Sequence, residues 1–147
     1  MAFRYRLEAL LRLQRSVERQ EENRLLACAA RVTGLRKELE DWEEERRKRK
    51  RQSAEELVAG STGAMLRIVA EWDVAARRKQ RDIGALLMKA EKERGEQMAK
   101  VRTERQKREV LEGLKTQLKS TFDQEQLRKA QQVMDDLYLT RAFYWKS

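Results

Sequence analysis

A chain of 147 residues without a single proline has few places to turn, and this one offers one strong candidate, Gly60-Ser61-Thr62-Gly63. Gly60 can take the left-handed conformation that ends a helix. Ser61 or Thr62 can then accept a backbone N–H as the N-cap of the next. A connection of two to five residues makes consecutive helices antiparallel neighbours. The sequence therefore predicts one hairpin over residues 1–147, with helix one at about 2–59, the turn at 60–63 and helix two at about 64–141.

Apolar spacing supports the same reading. Phe3, Leu7, Leu10, Gln14, Val17, Glu21, Leu25, Cys28, Val32, Leu35, Leu39 and Trp42 follow one another by alternating steps of four and three. That keeps a narrow stripe on one side of a slightly underwound helix. Two consecutive steps of four, Val17 to Glu21 to Leu25, predict a stutter. A complementary stripe runs through Met65, Ile68, Trp72, Ala76, Lys79, Ile83, Leu86 and Ala90, then Gln97, Val101, Glu104, Arg108, Leu111, Leu114 and Leu118. With the turn centred near residue 61 or 62, facing residues have numbers summing to about 123. Glu40, Asp41 and the three glutamates 43–45 then lie near Arg77, Arg78, Lys79 and Arg81, and the six cations 46–51 lie opposite Glu71, Trp72 and Asp73. Trp42 and Trp72 fit the seam. The polar stretch 91–108, flanked by Gly84 and containing Gly95, is expected to pack least tightly.

Composition decides against the rival architectures. Charged and hydrophobic residues each make up 40% of the chain, and the mean hydropathy is -0.90. This matches long helices or a coiled coil, and a sustained apolar period separates it from a disordered polar chain. The fold class is all-α, a long two-helix antiparallel coiled-coil hairpin whose second helix overhangs at the C-terminus. The chain contains no histidine, the commonest general base and metal ligand near neutral pH. Its one cysteine, Cys28, falls on the stripe and reads as a small buried side chain. No phosphate loop, zinc spacing or nucleophile–base set is present, and a two-helix hairpin provides little concavity. Neither catalysis, a cofactor, a metal nor a small-molecule substrate is expected. No apolar run is long enough to span a bilayer and no signal-peptide core is present, so the expected location is cytoplasmic.

Net charge is +9. Charge of this size permits non-specific association with nucleic acid, but no stacking platform or groove-reading helix accompanies it, so nucleic acid is not the expected partner. The six cations 46–51 point in every direction around a helix and read either as a solvated coil or as a patch for an acidic partner.

Beyond Ser120 the first helix runs out of register partners, while Leu127, Ala130, Met134 and Leu137 keep the three-four period and Phe143, Tyr144 and Trp145 follow. An exposed stripe of that kind marks a binding surface. Alternatively, Ser120-Thr121-Phe122-Asp123 could cap a third helix that folds back. The absence of Gly or Pro there favours one continuous helix.

The opening Phe3-Arg4-Tyr5-Arg6-Leu7-Glu8-Ala9-Leu10-Leu11-Arg12-Leu13, the glutamates and leucines up to Leu39, the short turn, and Arg128-Lys129 followed by Met134-Asp135-Asp136-Leu137 resemble the FliJ family. FliJ proteins are small coiled coils of the flagellar type III export apparatus, and injectisome stalk proteins of the YscO type are similar. The resemblance spans the chain in length and order, except for Phe143-Tyr144-Trp145. It implies a γ-like stalk that inserts the end carrying both termini into the export ATPase ring and stimulates it. It also implies contact with the membrane export gate and with the chaperones of late export substrates, at the cytoplasmic face of the inner membrane. On that basis Phe3, Tyr5, Leu7, Met134, Leu137 and Tyr138 belong to the ATPase-facing end. Two other readings stand beside it: a basic coiled-coil arm for nucleic acid, and a scaffold that self-associates through the C-terminal overhang.

Overall fold

The computed structural model describes residues 2–60 and 62–146. The fold is all-α, with α1 at Glu8–Ala59, α2 at Gly63–Lys146 and no strand among the described residues. The two helices pack as a helical hairpin. α1 stops where Gly60 takes a φ of 93°, a region that favours glycine because it has no Cβ. On the other side of the turn, the Leu66 N–H donates to the Thr62 carbonyl at 3.3 Å, which places Thr62 at the N-cap of α2. Ser61, the alternative cap, lies outside the described residues.

Both helix limits away from the turn differ from the sequence expectation. α1 begins at Glu8 instead of near Ala2, and residues 2–5 are not helical. The Tyr5 hydroxyl donates to the Leu111 carbonyl at 2.9 Å, and the Phe3 ring packs on Phe122 with centroids 5.6 Å apart. A helix would turn residues two apart to nearly opposite faces, whereas in this non-helical segment Phe3 and Tyr5 both reach α2. At the other end, α2 continues to Lys146, past the expected limit near 141 and without a break at Ser120.

The chain divides into two compact units, Gln20–Arg102 and Met1–Arg19 with Thr103–Ser147. In the first, Val32 of α1 is fully buried, and Ala76, Ile83, Ala90, Gln97 and Val101 of α2 are all buried. Gln80 and Leu87 hold half-buried positions where the sequence reading placed Lys79 and Leu86, one residue away. The Trp42 and Trp72 rings meet in a tilted contact, 32° between planes and 6.4 Å between centroids, and the Arg49 guanidinium caps the Trp72 ring at 4.1 Å.

Charge pairing in this unit is more local than expected. Arg46 does cross to Asp73 at 3.1 Å and to Gln80 at 2.8 Å. Glu43, Glu44 and Glu45, however, pair within α1 with Arg47, Arg49 and Arg51, and Arg77 pairs with Asp73 of its own helix at 3.0 Å. Nor does the stretch after Glu91 pack loosely. Gln97 is 8% exposed and its amide donates to the Glu21 carbonyl at 3.0 Å and to the Glu21 carboxylate. Polar side chains fill that part of the seam by bonding across it. The thinnest burial instead flanks the turn, where Leu57, Val58, Met65 and Ile68 are exposed.

In the second unit the α1 seam passes through Leu11, Gln14 and Glu18, not through Leu10 and Val17. Leu11 is fully buried and Glu18 is 6% exposed, whereas Leu10 is half-exposed. With Glu18 on the seam, the steps from Leu11 to Leu25 alternate three and four and the expected stutter disappears. The reason is chemical: Arg108 donates to the Glu18 carboxylate and Arg105 lies 3.5 Å from it. Two guanidinium partners make a carboxylate tolerable where the apolar pattern alone would demand valine.

Candidate partner-binding surface

The unit formed by Met1–Arg19 and Thr103–Ser147 contains all six residues expected at the partner-facing end, and it sorts them into two groups. The first group is committed to holding the chain together. Tyr5 is 8% exposed and bonded to the Leu111 carbonyl. Phe3 is half-buried against Phe122, while Leu7 remains partly exposed. With Leu118, Thr121 and Glu125 these side chains line a shallow groove between the N-terminal segment and α2.

Ionic and amide bonds lock this arrangement from below. Gln14 donates to the Glu104 carbonyl at 3.0 Å and to its carboxylate at 2.5 Å. Lys115 reaches Glu8 at 2.8 Å, Arg15 reaches Glu112 at 3.2 Å, and Arg108 bridges Glu18 to Glu112. The Lys115 bond holds the Glu8 carboxyl below the ordinary carboxylate range against opposing desolvation. The Gln14 amide does the same for Glu104. For Glu112, desolvation opposes the shift, but the bonds from Arg15 and Arg108 prevail and lower it. The Glu18 and Glu112 bonds raise Arg108 in turn. Among the described residues no buried side-chain nitrogen or oxygen lacks a partner.

The second group lies along the rest of α2. Met134, Leu137 and Tyr138 are exposed, and with Thr140, Arg141 and Tyr144 they form a shallow concavity on the helix surface. Leu127, Val133, Leu139, Phe143 and Trp145 are exposed as well; helical spacing puts Leu127 and Trp145 on the same side as the three residues singled out by sequence, with Val133 at its flank, and Leu139 and Phe143 on the opposite side. At 1.5 Å per residue, Leu137 lies roughly 22 Å along the helix from Phe122. The two groups are therefore separate features: an anchored aromatic cuff, and an open apolar face on a helix with no other segment of this unit packed along it among the described residues.

Among the described residues no group of three or more His, Cys, Asp or Glu side chains is placed to hold a metal ion, and no helix is long and apolar enough to cross a membrane. What the surface offers is greasy side chains on a regular helix, which suits recognition by another helix or a groove. No family model, curated protein or solved structure matches the chain.

Proposed function

We propose that this chain is a FliJ-type stalk of a bacterial type III export apparatus, a non-enzymatic component that docks into the export ATPase ring and links it to the membrane export gate and to the chaperones of late substrates. The observation that carries the reading is the run of α2 beyond Phe122, an unbroken helix with Leu127, Met134, Leu137, Tyr138 and Trp145 exposed. Apolar side chains in that number on one helix are costly to leave in water and are spent on a protein partner. The cuff at Phe3, Tyr5 and Phe122 fixes the base from which the helix projects. Basic side chains along α2 ahead of that base, Lys119 nearest to it, would steer approach to an acidic socket.

The test is binding to, and stimulation of, the export ATPase from the same genome by the full chain and by a chain ending at Phe122. The full chain should co-elute with the ATPase and raise its turnover, and the shortened chain should do neither. Equal stimulation by both would remove the helix beyond Phe122 from the interface.

One observation favours a second reading, an arm that associates with polyanions. In the unit Gln20–Arg102, a shallow groove is lined by Arg46, Arg47, Lys50, Arg77 and Arg81 against only Glu43 and Asp73. Binding of this kind would be non-specific and would collapse at modest salt, whereas docking through the apolar helix would not.

A further inference from the structure

The exposed stripe of α2 between Asp123 and Arg141 is self-complementary. Asp123, Leu127, Ala130, Met134, Leu137 and Arg141 succeed one another by steps of four and three, the spacing of a coiled-coil seam. All six are exposed. A two-fold axis crossing the helix at Gln132 sets Leu127 against Leu137 of a second copy, Ala130 against Met134, and Asp123 against Arg141. Every seam position then meets a seam position, in the layers that an antiparallel pair requires. A parallel pair would instead stack Asp123 on Asp123 and Arg141 on Arg141.

The one charged pair on the seam itself, Asp123 with Arg141, therefore favours the antiparallel orientation. Asp123, Glu125, Asp135 and Asp136 nearly balance Arg128, Lys129 and Arg141 in a chain whose net charge is +9. This segment does not repel its own copy. The same axis carries Trp145 of one copy alongside Lys119 of the other, beside the groove lined by Phe3 and Phe122.

We propose that the C-terminal part of α2 pairs with the same segment of a second copy of this chain, as an antiparallel two-stranded coiled coil centred on Gln132. This goes beyond the stalk reading and does not require it. If both hold, the dimer and the ATPase-bound chain use one face and exclude each other, so pairing would keep the apolar surface covered until the ATPase takes it.

The full chain should show a mass in sedimentation equilibrium that rises with concentration from 17.5 kDa towards twice that value. Orientation is read by disulfide trapping in a Cys28→Ser background. Chains carrying Ala130→Cys and chains carrying Met134→Cys should cross-link when mixed and not when kept apart. Asp123→Lys should weaken self-association about tenfold or more, and mixing with Arg141→Asp chains should restore it. All these positions are exposed on a helix, and unchanged circular dichroism would confirm that folding is intact. A monomer persisting into the hundred-micromolar range, or Ala130→Cys chains cross-linking to themselves as readily as to Met134→Cys chains, would overturn the proposal. A monomer that stimulates the ATPase would sink the pairing alone; a dimer that leaves the ATPase unaffected would count against the stalk alone.

Discussion

Replacing Arg108 by alanine isolates the feature that most distinguishes the seam from an ordinary apolar one. Glu18 is 6% exposed, and Arg108 is its closest partner. Without Arg108, the buried carboxylate keeps, among the described residues, Arg105 alone as an ion-pair partner, at 3.5 Å and with a side chain half in water. Stranding a fully buried charge costs about 3–5 kcal/mol. Here the Arg108 side chain is itself a quarter exposed, so water can reach the site, and a loss of about 2 kcal/mol is expected. Glu18→Ala should cost less, because Arg108 retains Glu112 at 2.9 Å. Leucine at both positions removes the charges together and should lie within about 1 kcal/mol of the parent chain. The control is Val17→Ala, a half-buried position off the seam, expected to lose about 1 kcal/mol or less. Urea titrations followed by far-ultraviolet circular dichroism give the four values, provided the slope is unchanged between variants. If Val17→Ala proves more damaging than Arg108→Ala, the seam passes through Val17 and the packing described here is wrong.

Acid should loosen the unit that contains the aromatic cuff. Glu8, Glu104 and Glu112 have folded-state pKa values depressed below the ordinary 4.5; their contribution is present above 4.5 and is lost as pH falls through the folded values. Melting temperature should therefore be flat from neutrality to about pH 5 and fall below 4.5, and a melting temperature that rises on acidification would contradict the assignment. Two glycines should respond in opposite directions. Gly34→Ala adds a methyl with nothing within 4 Å in the middle of α1 and should stabilise by about 0.5–1 kcal/mol, while Gly60→Ala forces a side chain onto a φ of 93° and should destabilise by about 1 kcal/mol or more, both measured by the same titration.

The turn was legible because a chain without proline advertises its one Gly-Ser-Thr-Gly break, and the antiparallel register followed from its position. Glu8 meets Lys115 and Glu18 meets Arg105, pairs whose numbers sum to 123, while Gln14 with Glu104 and Glu21 with Gln97 sum to 118, so the register was legible only to within about a turn and a half of helix. The course of the seam was legible only where it is apolar. Ranking Val17 above Glu18 follows hydropathy, yet burial is decided by what faces a residue. Arg105 and Arg108, lying opposite Glu18 in the expected register, were the signal that could have corrected it. The same bias made residues 91–108 read as loosely packed, whereas Gln97 and Val101 are buried. The start of α1 was hidden for another reason: Ala2 to Leu7 has good helical composition, and only the distant Leu111 and Phe122 hold Tyr5 and Phe3 in a non-helical segment. Of the six candidate surface residues, sequence could not separate Tyr5, which is consumed by packing, from Met134, Leu137 and Tyr138, which are not.

The absence of any interruption in α2 around Ser120 ties two quantities that a loop would have left independent. Each residue inserted between Phe122 and Leu127 would advance Met134 and Leu137 by about 1.5 Å and swing them by about 100° around the axis. Reach and azimuth are geared together, as on a screw thread. A change in length near whole turns, of seven residues, nearly restores the heading of the apolar face while shifting it by about 10 Å; a change of two turns it almost to the back. Any socket that grips this helix is thereby indexed to the aromatic cuff at its base, and evolution could lengthen the tail only in steps that keep the thread in phase.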